Sequence, residues 1–453
     1  MGILVKNATL SVTVSLSVLK MVGFWAPEGM TEQQKMFYNC YTVFSFMFLL
    51  GTYLIIQVVD LCLIWGDLPL MTGTAFLLFT NMAQAAKIIN ILGRRARIQA
   101  IINDADQVLN SAETGEARDI VRSCNKEAII LQTLYFFLTL ITTIGWAMSA
   151  DKGKLPLRAW YPYNTTKSPA YELTYSHQVV ALLIAAYLNV AKDSLVATLI
   201  AQCRCRLRLL GLALKTLGRD VLHTNRNLLT PEQEAVVSSR LRRCVAQHQA
   251  ALAAAAELQA CFSEPTFAQF TVSLIIICVT AFQLVSQTGN MVRLLSMGTY
   301  LLNMAFQVFI YCYQGNQLSE ESSSIAGAAY ECPWYACSAR LRRALLVVMV
   351  RSRRVAKLTA GGFTTLSLAS FMAVRQFQCG HHLSHHLYSS RGSAPELILH
   401  WQYFDANVME ANLPIARIYD VPPDADILQQ FLSIFIDEVD KQAYIPPDVK
   451  QLW

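Results

Sequence analysis

Few residues in this chain could do chemistry by type and spacing. His381-His382 and His385-His386, with Cys379 just upstream, set imidazoles four apart, which puts two metal ligands on one helix face. No carboxylate arrangement completes that set, so it reads as incidental, and neither a metal nor a cofactor is expected. There is no GxSxG elbow, phosphate loop, HExxH helix or Cys-x-x-Cys pair. Neither an enzyme nor a nucleic-acid partner is expected. The other conspicuous groups are charges in apolar surroundings. Lys87 and Lys192 lie toward the ends of apolar runs, where a long side chain reaches the headgroups. Asp193 is expected to mark where its helix leaves the lipid, a buried functional carboxylate being the other reading.

The elements that must hold such groups are membrane helices. Of the 453 residues 54% are hydrophobic and only 15% are charged, against about a quarter charged in soluble domains. Runs near the 20 residues that a span needs occur at about Phe37–Val59, Leu68–Ile91, Ala128–Met148, His177–Ala197, Thr266–Ser286 and Val292–Tyr313, and a seventh starts near Phe363. The twelve cysteines are scattered, with Cys40, Cys62, Cys278 and Cys312 in or beside such runs, and read as small hydrophobes. Basic residues alternate from loop to loop. Three precede the first span, six lie between the second and third, nine in 203–264 and seven in 314–362. The other loops carry none in 60–67, four in 151–176 and Arg293 alone. Basic loops stay inside, so the N-terminus is cytoplasmic, opposite to a G-protein-coupled receptor. Of two sequons, Asn164-Thr165-Thr166 falls outside and Asn7-Ala8-Thr9 inside, so only Asn164 is expected to carry glycan.

Separated motifs then occur in one order. Gly23-Phe24-Trp25 comes first, and LPLRAWYPYNTTKSPAYELTYSHQ follows between Leu155 and Gln178. Gly315-Asn316, Leu318, Ser322, Ala329-Tyr330, Trp334-Tyr335 and FTTLSLASFMAV, ending at Val374, complete the series. With them the chain resembles the insect odorant receptors over roughly residues 20–374. The resemblance implies an all-α, polytopic, seven-helix bundle with cytoplasmic anchor helices. It divides the chain into a cytoplasmic leader (1–36), a receptor and channel domain (37–374, with the anchor at about 203–265 and 314–362) and a non-family tail (375–453). The leader reads as lying against the membrane. In the loop from Arg204 to Pro265, helices four and five are expected to run on into the cytoplasm, an expectation that the alanine-rich RLRRCVAQHQAALAAAAELQACF supports directly.

The resemblance also implies roles. A volatile organic ligand would sit in the outer half of the bundle, facing Thr74, Leu77 and Leu78 on helix two and Thr142, Gly145 and Ser149 on helix three. Ile184 and Leu188 on helix four and Met297, Tyr300 and Met304 on helix six would complete the lining. Ordinary helix packing through small residues is the competing reading of these faces. Tyr330, Trp334 and Tyr335 would belong to the anchor, where four subunits, this chain and a shared co-receptor, meet as a hetero-tetramer in the lipid membrane of olfactory sensory neurons. The basic helix is expected to break at Gly361-Gly362, forming a joint to a last helix whose Ser367, Ser370 and Val374 line a cation pore. The short loop between helices four and five makes this the tuning subunit rather than the co-receptor. A gustatory receptor is disfavoured by the outer-loop and anchor motifs.

The pattern breaks after Val374. Phe363–Val374 is twelve residues, about 18 Å of helix, short of a core of about 30 Å, and Arg375 follows. Residues 375–453 carry five Lys/Arg against ten Asp/Glu, whereas 1–374 carry a net +11. Pro422-Pro423 and Pro446-Pro447 bracket an amphipathic helix with Leu428, Phe431, Leu432, Phe435 and Val439 on one face. The tail reads as a different end joined to a receptor body, by splicing or in the gene model. A subunit that assembles without conducting is therefore the second functional reading.

Overall fold

The computed structural model describes residues 10–27, 29–66, 68–148, 155, 160–165, 167–219, 229–286 and 291–373. Asn7, Ser149, Val374 and the whole tail, with Cys379, its histidines and its expected helix, lie outside the described residues. The chain divides into Met1–Cys379 and Gly380–Trp453, and everything below concerns the first unit.

Helix α1 is Leu10–Met21. One face of it packs into the bundle and the other is exposed. Ser11, Ser15 and Leu19, four apart on one face, are buried. The Ser11 hydroxyl donates to Thr198 Oγ1 at 3.3 Å, and Gln132 donates to Ser15 Oγ at 3.0 Å. A Schellman closure ends the helix. Phe24 N–H donates to the Leu19 carbonyl at 2.8 Å and Gly23 N–H to Lys20 at 3.2 Å, with Gly23 at φ 93°. A Cβ on Gly23 would stand 2.7 Å from the Tyr41 ring, so both backbone and packing demand glycine there. Phe24 and Trp25 are buried behind the turn.

Helices α2 (Glu32–Phe46) and α3 (Thr52–Leu63), joined by a π turn at Met47–Gly51, form the first span. It opens on a Thr31/Gln34 capping box. Next come α4 (Leu68–Gly93), α5 (Arg95–Asn110) and α6 (Gly115–Met148), and then α7 (Ala170–Lys215), α8 (Pro231–Ser286) and α9 (Met291–Tyr330). The last three hold 46, 56 and 40 residues, about 69, 84 and 60 Å of helix, two to three times the apolar core of a bilayer. The expected spans in helices three to six are thus the membrane portions of longer rods, and helices four and five do run on past the membrane as expected. The span expected to end at Tyr313 does not end its helix there: α9 continues unbroken to Tyr330. Among the described residues five helices are long and apolar enough to cross a membrane.

α7 is the axis of the bundle, packed by α1, α6, α8 and α9. From Val190 to Leu207 every residue is buried, and a helix buried all round is one enclosed by others. Beyond α9 come a 3-10 turn at Trp334–Ala336 and α10 (Ala339–Ser352). Two short antiparallel strands follow, β1 (Thr359–Ala360) and β2 (Thr364–Thr365), with Thr359 opposite Thr365. The basic helix therefore stops at Ser352, not at Gly361-Gly362 as expected. The glycines form the hairpin turn instead, at φ 61° and 79°. Positive φ at both central positions is the pattern of a type I′ turn, whose twist suits a hairpin. The last helix begins at residue 368, not near Phe363.

Candidate ligand and gating site

Of the residues expected to face a ligand, those of α6 and α9 meet at one level, and Tyr300 of α9 also reaches α4. Thr74 is buried and donates to Asp60 Oδ2 at 2.8 Å. Leu77 is half-buried and Leu78 buried on the same helix. On α6 the Thr142 hydroxyl donates within its helix to Leu138 and reaches the Thr299 carbonyl of α9 at 3.3 Å. A Cβ on Gly145 would stand 3.0 Å from Ser296 Oγ, so α6 and α9 approach closely at that level. Leu188, Met297 and Met304 are buried, and Ile184 is half-buried. The Tyr300 hydroxyl bonds Thr80 Oγ1 of α4 at 3.0 Å, and its ring meets Trp146 edge-on. Thr142, Gly145 and Tyr300 are thus joined through α9, and Thr74 faces Asp60 of α3. Asn164 is exposed in the loop before α7.

Directly below lies a polar centre that the sequence reading placed wrongly. Lys87 and Lys192 do not snorkel, and Asp193 is a buried carboxylate, as its other reading had it: Lys192 and Asp193 are at 1% exposure and Lys87 is buried too. Lys87 Nζ donates to Asp193 Oδ1 at 2.6 Å. Tyr311 donates to the same oxygen at 2.9 Å, while Tyr135 at 3.3 Å and Gln307 donate to Oδ2. Gln307 in turn accepts from Gln269 of α8 at 2.9 Å. Lys192 donates to the Gln84 carbonyl at 3.4 Å. Side chains from α4, α6 and α9 therefore meet at one carboxylate of α7, and α8 joins through Gln307. The available signal was helix length: a span read as ending at Ala197 puts Asp193 at its edge, whereas a rod running to Lys215 puts it mid-way.

Further along α7, Arg204 is fully buried and holds Glu127 of α6 through both oxygens, at 2.7 and 2.6 Å. Arg206 reaches Asp104 of α5 at 2.7 Å, and Arg208 pairs with Glu321 of α9. Each cation is met because a charge taken out of water must be paired. The anchor aromatics do come together: Tyr330 and Trp334 rings lie 5.9 Å apart, and Trp334 and Tyr335 rings 6.3 Å. Burial pushes the nearby Cys332 thiol up to about 11, so it stays protonated and chemically quiet.

The hairpin is pinned to α8 by Gln259 and Ser263, whose hydroxyl donates to the Thr359 carbonyl at 3.1 Å. Gln259 donates to the Thr359 carbonyl at 2.9 Å and its hydroxyl at 2.6 Å, and accepts from Thr359 N–H at 2.8 Å. Gly361 N–H adds a bond to the Ser263 carbonyl at 3.1 Å. Ser367 caps the last helix, accepting from Ser370 N–H at 3.2 Å, while the Ser370 hydroxyl returns to the Thr365 carbonyl at 2.6 Å. Both serine hydroxyls, expected on a pore face, are thus committed to the strand-to-helix corner. Gln259→Ala should cost about 1–3 kcal/mol at this joint. Hydrogen exchange at the Thr359, Gly361 and Leu366 amides should then quicken while the α7 amides stay protected; unchanged exchange would refute the pinning.

Residues 67–378 match the family model described as "7tm Odorant receptor". The chain belongs to the 7tm odorant receptor family. It is 25% identical to Odorant receptor Or1 of Anopheles gambiae over 382 residues, 80% of this chain and 91% of that one. It is 26% identical to Odorant receptor 82a of Drosophila melanogaster over 328 residues, 68% and 82% of the two chains. A shorter likeness, 29% over 161 residues covering 36% and 34%, is to the odorant receptor coreceptor of Aedes aegypti. In fold, this receptor is similar to the insect olfactory receptor OR5 of Machilis hrabei, solved with eugenol. There the TM-score is 0.68 at 18% identity, covering 82% of this chain and 96% of that one. It is thus a multi-pass membrane receptor with an odorant-receptor bundle, and its relatives are receptors rather than enzymes.

Proposed function

We propose that this odorant receptor is the ligand-tuning subunit of a cation channel gated by volatile organic molecules. It would work as a hetero-tetramer with a shared co-receptor in the plasma membrane of olfactory sensory neurons. The observation that supports this reading best is α9 itself. One unbroken helix carries Met297, Tyr300 and Met304 in its outer part, and Gly315 further along. A Cβ on Gly315 would stand 2.5 Å from the Leu366 carbonyl oxygen and its Cβ. The helix that lines the proposed ligand site is therefore in contact with the joint that leads into the last helix. A ligand that binds the open arrangement better than the closed one shifts the population by that difference in affinity.

Whole-cell current from the full chain with its co-receptor, under a broad volatile panel, tests the reading. Asn164→Gln is expected to remove one glycan from the surface chain, read as a shift in electrophoretic mobility, and Asn7→Gln none; the reverse would turn the topology over. An evoked current above the co-receptor alone supports the tuning role. Silence with the Asn164 glycan present favours the subunit that assembles without gating, to which the acidic 375–453 segment points.

A further inference from the structure

The Asp193 centre repeats, one layer down, the set of helix contacts made at the proposed ligand site. On α4, Thr80 and Lys87 are seven residues apart on one face; on α9, so are Tyr300 and Gln307. On α6, Thr139 and Tyr135 are four apart. In the upper layer Tyr300 bonds Thr80, and Thr139 donates to Asn303 at 3.2 Å. In the lower layer the same three helices close on Asp193 through Lys87, Tyr135, Gln307 and Tyr311. Phe306, buried on α9, meets the Tyr135 ring edge-on with centroids 5.8 Å apart. The layers lie about 6–10 Å apart along the helices.

α9 is continuous through both layers, so a ligand that displaces its upper part must also move Gln307 and Tyr311 against α7. Packed charge networks do not stretch gradually. A buried carboxylate that loses a donor pays a desolvation cost at once, so such a contact behaves as two arrangements, not a continuum.

We propose that Lys87 and Asp193 are positioning residues for gating: their pairing holds α4, α7 and α9 in the arrangement seen here, against which an activating ligand must work. This rests on the channel reading above. The pair touches no ligand. Its role is to set how much differential affinity a ligand needs before the population moves.

The test is the double variant Lys87→Met/Asp193→Asn, expressed in full length with the co-receptor. It removes both charges and leaves an acceptor for Tyr311. Replacing both partners of a buried pair is far milder than removing one, and Lys192 keeps the Gln84 carbonyl as its acceptor, so the variant is expected at the surface with its Asn164 glycan. The midpoint of its concentration–response curve should fall about tenfold, with current in the absence of ligand. A wild-type midpoint and a silent baseline, at normal surface level, would overturn the proposal. If the double variant fails to reach the surface, Tyr311→Phe decides. It deletes one donor at nearly constant volume and should move the midpoint the same way by about threefold, and an unmoved midpoint again overturns it.

A wild-type chain that evokes no current would sink the channel reading on its own. The pair is then read without conduction, from alkylation of Cys312 by N-ethylmaleimide in intact membranes, mapped by peptide mass. Cys312 is fully buried beside Tyr311, and the equally buried Cys261 on α8 serves as reference. The double variant should raise the Cys312 rate about tenfold against Cys261; equal rates would count against the pair.

Discussion

Arg204→Met is expected to lower the stability of the receptor by about 3–5 kcal/mol, because it leaves Glu127 charged and without its guanidinium inside the packed end of α6 and α7. The bidentate pair is what makes this position unforgiving. Both Glu127 oxygens are engaged at 2.6–2.7 Å, the arginine side chain is fully buried, and Tyr313 of α9 packs beside the two. At about 2 °C per kcal/mol for a chain of this size, the unfolding midpoint of the detergent-solubilised protein should drop by about 6–10 °C. Arg204→Lys keeps the charge but loses the planar fork, so it should fall in between. Arg204→Met with Glu127→Gln should recover part of the loss, since no unpaired charge is left. Equal midpoints for the single and double variants would show that an uncompensated Glu127 charge is not what destabilises Arg204→Met.

The second large effect is expected from the smallest change. Gly315→Val introduces a side chain where a Cβ alone would stand 2.5 Å from the Leu366 carbonyl oxygen and its Cβ, closer than atoms approach. The helix is rigid there and the neighbour is partly backbone, so the hairpin must move rather than a rotamer. Overpacking of this kind costs about 1–3 kcal/mol or more. The damage should be local. Trypsin cleavage at the exposed Arg353 and Arg354, just before the hairpin, should speed markedly, and evoked current should vanish. Gly327→Ala, in the same helix with open space around its Cβ, should leave both nearly unchanged. If Gly315→Val behaved like Gly327→Ala, α9 would not be in tight contact with the joint, and the support for the proposed function would weaken.

These sites divide by what one chain can reveal about itself. Membrane class and helix count were legible because a span in lipid must be long, apolar and self-satisfied in its hydrogen bonds, and that leaves a mark on any sequence. The continuation of α7 and α8 past the membrane was legible from apolar spacing and alanine content, and the motifs around Tyr330, Trp334 and Tyr335 carried the family. Local rules also identified Gly361 and Gly362 as a break, but not its form. A glycine pair ends a helix or turns a hairpin equally well, and Gln259, about a hundred residues away, decides which.

Tertiary structure alone decided the fate of the charges. By residue type Lys87, Lys192 and Asp193 belong at a lipid boundary, because an isolated charge in an apolar medium is too costly to keep. What makes burial affordable is a partner, and the partners of Asp193 come from positions 87, 135, 307 and 311, on helices far apart in the chain. Pairing energy belongs to the set, not to any member, so no periodicity within one helix encodes it. The same holds for α1, whose serines look like a polar leader until Thr198 and Gln132 meet them. The sequence by itself determined that this chain spans the membrane as an odorant-receptor bundle; the packing of α7 among its neighbours decided which polar groups that bundle keeps at its centre.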